Sequence, residues 1–154
     1  MIRKLRYVIF TLLLLGLGAS LLIGSYLVAP QMRPVEMLPD GPSFESVNIE
    51  RADRNKVAGW FFRGEPDAPG ILLLHSIRSN RQQMVGRARF FIKVGYSVLL
   101  IDMQAHGETP GEHITFGYRE SYDVKAAADY LRQRVEPQKI AVVGVSLGGA
   151  AALL

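Results

Sequence analysis

Residues 140–154 read IAVVGVSLGGAAALL. Ile140–Gly144 is a short continuous apolar run, the pattern of a strand buried on both faces. Gly144-Val145-Ser146-Leu147-Gly148 follows at once, and then small and apolar residues that begin a helix. A serine on so sharp a strand-to-helix turn must take strained backbone angles, and side chains beside it would clash with the neighbouring strand and helix. Glycines at 144 and 148 remove those clashes. The helix N-terminus then offers backbone N–H groups to an oxygen that becomes negative during attack. Ser146 is the candidate nucleophile. A weaker reading takes Gly144, Ser146 and Gly149 as a G-x-G-x-x-G dinucleotide loop. A serine at its middle position obstructs the pyrophosphate, and the pattern belongs with the first parallel βα unit.

Working back from the elbow, strands and helices alternate. Residues 96–101 and 71–74 are two more buried apolar runs. Val124, Ala127, Ala128 and Leu131 follow helical spacing, so about 117–134 is predicted as an amphipathic helix stopped near Pro137. A second helix carries Met84, Ala88 and Phe91 on one face, with Ser79 and Gln82 as its capping box and Gly95 as its end. Residues 44–50 and 57–62 read as a hairpin across the polar turn RADRN. Strands separated by single helices predict an α/β fold whose initial hairpin leads into a parallel sheet with crossover helices.

The N-terminus is of another kind. Residues 7–29 contain no charge, and as a helix they span about 35 Å against a hydrocarbon core of about 30 Å. The run is longer than the core of a cleaved signal, and Pro30 follows the only tempting cleavage position. We therefore read 1–6 as a basic cytoplasmic N-terminus and 7–29 as one uncleaved transmembrane helix. Positive charge precedes the segment, so the remainder lies on the extracytoplasmic side of a single-pass membrane protein. Residues 30–43, with four prolines, read as a linker. Arg3, Lys4 and Arg6 carry three of the net four positive charges, so the rest is nearly neutral and nucleic-acid binding has no basic face to use. With 49% hydrophobic residues the chain is too apolar for a disordered tail. The absence of cysteine excludes a disulfide scaffold and a thiolate metal site. No metal or organic cofactor is expected.

Three loops follow the buried strands: His75-Ser76-Ile77, Asp102 through Glu108, and Ser146. In an open α/β sheet ligands bind at that edge. LLLHSIRSNRQQM, LLIDMQAHGET and VVGVSLGG together resemble the oxyanion segment, the D-x-x-x-H-G segment and the nucleophile elbow of the α/β-hydrolase superfamily. The likeness covers 44–154 and is nearest to anchored or exported hydrolases of the prolyl-oligopeptidase-like and acyl-transferase-like kind. It implies a serine hydrolase that forms an acyl-enzyme on Ser146 from a small-molecule ester, thioester or peptide. The implied oxyanion donors are the backbone N–H groups of Leu147 and Ile77. His75, Asp102, His106, Gly144 and Gly148 are implied as supporting residues, with Asp102 and His106 shaping the second loop. Glu112 and His113 read as solvated, and Arg87 and Arg89 as an exposed helix face in a run that also holds Arg78 and Arg81.

Two departures stand out. Ser76 occupies a position where the family has glycine. The triad acid and histidine follow the nucleophile in chain order, and only eight residues follow Ser146. The expectation is the N-terminal part of a longer hydrolase, cut after the elbow. The alternative is a catalytically inactive, membrane-anchored binding module of the same fold.

Overall fold

A computed structural model of the chain describes residues 2–36, 43–136 and 139–154. Pro137 lies outside the described residues. Helix α1 (Ile2–Val28) is long and apolar enough to cross a bilayer, and none of its most apolar stretch is buried against the domain. A signal sequence passes the same test of length and composition.

The sheet begins with the expected hairpin. Strands β2 (Glu45–Glu50) and β3 (Lys56–Phe62) pair antiparallel, with Val47 opposite Gly59 and Ile49 opposite Val57. Strands β4 (Gly70–Leu74), β5 (Ser97–Ile101) and β7 (Ile140–Gly144) run parallel, in the order β2-β3-β5-β4-β7. A pair of two-residue strands, β1 (Gln31–Met32) and β6 (His106–Gly107), forms a separate ladder. The 30–43 stretch, read as linker, therefore includes a strand paired to the second loop.

Side-chain alternation along β4 divides the core. Leu72 and Leu74 pack on one face with Val124, Ala127 and Leu131 of α3 (Glu120–Arg134) and with Leu147 and Ala151 of α4 (Leu147–Leu153). Ile71 and Leu73 face the other way, toward Met84 and toward Val85 and Ala88 of α2 (Val85–Lys93). Leu72, Leu73, Leu99 and Leu100 are fully buried, and each such side chain contributes about 1.5–3 kcal/mol relative to exposure.

Three local expectations are corrected. Asn80, not Ser79, caps the second helical segment: its side chain accepts the Gln82 N–H at 3.0 Å, and a 3-10 turn (Arg81–Met84) precedes α2. Helix α3 starts at Glu120 rather than 117, because Phe116 and Gly117 take positive φ of 53° and 114°. Strand β7 is not buried on both faces. It pairs only with β4 among the described residues, and Ala141, Val142 and Gly144 are exposed.

Candidate active site

Ser146 stands between β7 and α4 with φ 51° and ψ −109°, a conformation a non-glycine residue holds only when its surroundings enforce it. The enforcement comes from close packing. A Cβ on Gly148 would lie 2.6 Å from the Leu74 Cβ and 2.7 Å from the Leu74 carbonyl oxygen. A Cβ on Gly144 would meet the Gly148 carbonyl carbon at 2.4 Å. The Val145 N–H donates to the Leu74 carbonyl at 3.1 Å, so the pairing of β7 with β4 continues into the turn. The elbow is thereby held against the end of β4, where His75-Ser76-Ile77 begins.

The Ser146 side chain is exposed. Leu147 heads α4, whose first N–H groups have no acceptor within the helix. Ile77 lies outside helix and strand, and no hydrogen bond from its N–H is found among the described residues. Ser76, at the position where glycine was expected, is gripped from both sides by Gln83. Its N–H donates to Gln83 Oε1 at 2.7 Å, and its hydroxyl accepts from Gln83 Nε2 at 2.9 Å. Nothing in the sequence pattern singled out Gln83.

Both histidines at the carboxyl edge of the sheet, His75 and His106, are fully buried and fully engaged. His75 Nδ1 donates to the Ser76 carbonyl at 2.7 Å, while Nε2 accepts the Met103 N–H at 3.0 Å. His106 Nδ1 donates to the Gln104 carbonyl at 2.9 Å, and its Nε2 accepts the Arg78 N–H at 3.0 Å. Burial holds the His75 pKa down to about 4 and lowers that of His106. Both rings are neutral at pH 7, and neither has a free nitrogen to take a proton from Ser146. His113 is exposed, as is Glu112, which lies 3.9 Å from the Arg119 guanidinium.

Asp102 is more than a turn former. It is fully buried, accepts the Arg81 N–H at 2.7 Å and the Glu108 N–H at 2.9 Å, and pairs with the Arg81 guanidinium. Burial pushes its carboxyl up, against the pull of Arg81. Arg81 reaches on to Glu108, holding that carboxyl low, and lies over the Trp60 ring at 4.6 Å. Gly107, with φ 53°, is required here, since a Cβ would sit 2.2 Å from Asp102 Oδ2.

A second buried network went unread in the sequence. The Gln104 N–H donates to Asp123 at 2.6 Å, and its amide donates to Glu120 at 2.8 Å. Asp123 also pairs with Arg51 at 2.8 Å, and burial raises its pKa to about 6. At Glu120 burial works upward, but hydrogen bonds from Thr115 and Gln104 outweigh it and the pKa is lowered. A cavity of about 520 Å³ between the hairpin and α3, lined by Ile49, Arg51, Tyr122 and Tyr130, shares no residue with the elbow. Among the described residues no group of three or more His, Asp or Glu is placed to hold a metal ion.

Ser146 thus stands exposed on a strained strand-to-helix turn at the carboxyl edge of a parallel sheet, the geometry of an α/β-hydrolase fold. No family model matches the chain. An uncharacterized protein of Mycobacterium tuberculosis is 30% identical over 116 residues, which cover 73% of this chain and 41% of that protein. The thiohydrolase aneE of Aspergillus aculeatus is 28% identical over 116 residues, 72% of this chain and 36% of that one. The esterase Pf2001 of Pyrococcus furiosus superposes with a TM-score of 0.72 at 29% identity, over 82% of this chain and 51% of that one. The chain spans about half the length of that esterase and 41% of the mycobacterial relative. The chain belongs to the α/β-hydrolase superfamily.

Proposed function

We propose that this chain carries the nucleophile half of a membrane-anchored serine hydrolase. The Ser146 oxygen attacks the acyl carbon while the N–H groups of Leu147 and Ile77 receive the negative carbonyl oxygen. The alcohol or thiol leaves with the serine proton, and water then releases the acid and restores Ser146. An esterase and a thiohydrolase among the relatives favour an ester or thioester over a peptide. Helix α1 is read as the anchor, with Arg3, Lys4 and Arg6 cytoplasmic and the sheet on the other side.

The single observation that carries this reading is the φ of 51° at Ser146, enforced by the contacts of Gly144 and Gly148. The test is fluorophosphonate labelling of membranes from cells expressing the native gene, with the labelled peptide mapped. We expect modification at Ser146 and its loss in Ser146→Ala. Absence of labelling, or labelling unchanged in that variant, would favour the inactive binding module. One observation leans toward that second reading: His75 and His106 have committed both ring nitrogens, so the base must be another group.

A further inference from the structure

Helix α1 meets the domain at the edge that carries Ser146. Its apolar side chains are not buried, and its hydrogen bonds to the domain come from its last turn. There the Arg78 guanidinium donates to the Tyr26 carbonyl at 2.9 Å and lies 4.1 Å from the centre of the Tyr26 ring. Arg78 directly follows Ile77, the candidate oxyanion donor. The Val28 carbonyl accepts the Ile114 N–H at 2.8 Å, and Ile114 belongs to the loop between β6 and α3.

The chain beyond the helix is not a free tether. Gln31 and Arg33 donate to the carbonyls of Ala105 and Gly107 at 2.7 and 2.8 Å, Val35 donates to Glu108, and the Glu36 carbonyl accepts from Gln82. Ala105, Gly107 and Glu108 belong to the stretch after β5, and Gln82 to the 3-10 turn after β4. These hydrogen bonds hold the end of the helix and the segment after it against the domain.

The same edge exposes two aromatic side chains beside the exposed Glu112, His113 and Arg119. Phe116 and Tyr118, in the loop that holds Val28, are 52% and 64% exposed. This loop also reaches the helix behind Ser146, since a Cβ on Gly117 would lie 3.2 Å from the Ala150 Cβ. With 7–29 spanning about 35 Å against about 30 Å of hydrocarbon, Tyr26 and Val28 fall at headgroup level. Aromatic side chains collect at that depth, and Arg78 would meet lipid phosphates there.

We infer that the site faces the bilayer surface and takes its acyl group from a long-chain ester carried by a membrane lipid, not from a dissolved ester. This substrate class rests on the serine-hydrolase reading; the orientation rests only on the anchor and its contacts.

Two measurements separate the parts. The sequence has no cysteine, so single labelling sites can be introduced cleanly. Phe116→Cys and Lys93→Cys variants of the native-gene product, each carrying an environment-sensitive dye, are reconstituted into phosphatidylcholine–phosphatidylglycerol vesicles containing brominated lipid. Lys93 ends α2, toward the opposite sheet edge. Strong quenching at 116 and little at 93 is expected; equal quenching, or none at 116, overturns the orientation. In the second measurement, hydrolysis of a dioleoylglycerol ester in those vesicles is compared with hydrolysis of 4-nitrophenyl acetate in water. Phe116→Ser with Tyr118→Ser should lower the vesicle rate about tenfold and leave the soluble rate and Ser146 labelling unchanged. Equal loss on both substrates, or none on either, overturns the lipid-substrate assignment. If wild type is neither labelled nor active on either ester, the hydrolase reading fails and the substrate assignment with it, while the quenching result still decides the orientation.

Discussion

His75 and His106 cross-brace the two loops beside the elbow: each ring accepts a backbone N–H from the other's loop, and the ring centres lie 5.0 Å apart. Each spends its second nitrogen on a carbonyl of its own loop. The pair is a structural clamp that works only with both imidazoles neutral at Nε2.

That requirement sets a pH dependence. The folded pKa of His75 is about 4 against 6.5 in the unfolded chain, so the unfolded state binds more protons between those values. Its contribution is complete above pH 6.5 and lost as pH falls toward 4, amounting to about 3 kcal/mol. Thermal unfolding of the detergent-solubilised protein from pH 4 to 7 should show this rise, and His75→Gln should flatten it. An unchanged slope in that variant would refute the clamp.

Asp123 should act with the opposite sign. Its pKa rises from 3.8 to about 6 on folding, so the folded state holds the proton more tightly. The stability gained is present below pH 3.8 and lost as pH rises through 6, again about 3 kcal/mol. Asp123→Asn should therefore steepen the net rise in stability with pH across this window, unmasking the histidine component.

The two adjacent glycines of the elbow should respond differently. Gly148→Ala drives a methyl group into the Leu74 backbone at 2.7 Å, and overpacking of this kind costs about 1–3 kcal/mol. Gly149→Ala places its Cβ 3.7 Å from the Gly144 carbonyl oxygen, an ordinary contact. We expect loss of probe labelling at Ser146 in the first variant and retention in the second. Equal behaviour would mean that the elbow does not depend on close approach to β4.

Arg81→Met should leave Asp102 as a buried carboxylate without its cation, at a cost of about 3–5 kcal/mol. Adding Asp102→Leu should recover part of that loss, since the uncompensated charge is then gone. Denaturant unfolding of the single and double variants measures both. A double variant less stable than Arg81→Met alone would show that the N–H groups of Arg81 and Glu108 matter more than the ion pair.

Residues 1–154 expressed by themselves should be labelled by fluorophosphonate about 10²–10⁴-fold more slowly than a serine hydrolase with its base in place. The reason is the commitment of both buried histidines, not the elbow's geometry. Fast labelling that disappears in His106→Ala or His75→Ala would assign the base to one of these rings and remove the clamp as their sole role.

The sequence by itself determined the elbow, the strands of the central sheet and the apolar helix. Each is governed by neighbours within a few residues: the clash-free glycines around Ser146, the largely apolar runs at 71–74 and 96–101, the uncharged 7–29. Only the tertiary structure decided that 31–32 pairs with 106–107, and that Arg81 meets Asp102 while Arg51 meets Asp123. Those ion pairs join residues 21 and 72 positions apart, and a local pattern of charge does not say which arginine will be buried. Arg81 was named only as one of a run of arginines, because Asp102 comes within its reach only once β4 and β5 pair side by side. The tie between Arg78 and Tyr26 is of the same kind, formed across 52 positions by the packing of helix end on loop. Periodicity and steric exclusion act along the chain, whereas desolvation and charge pairing act through space.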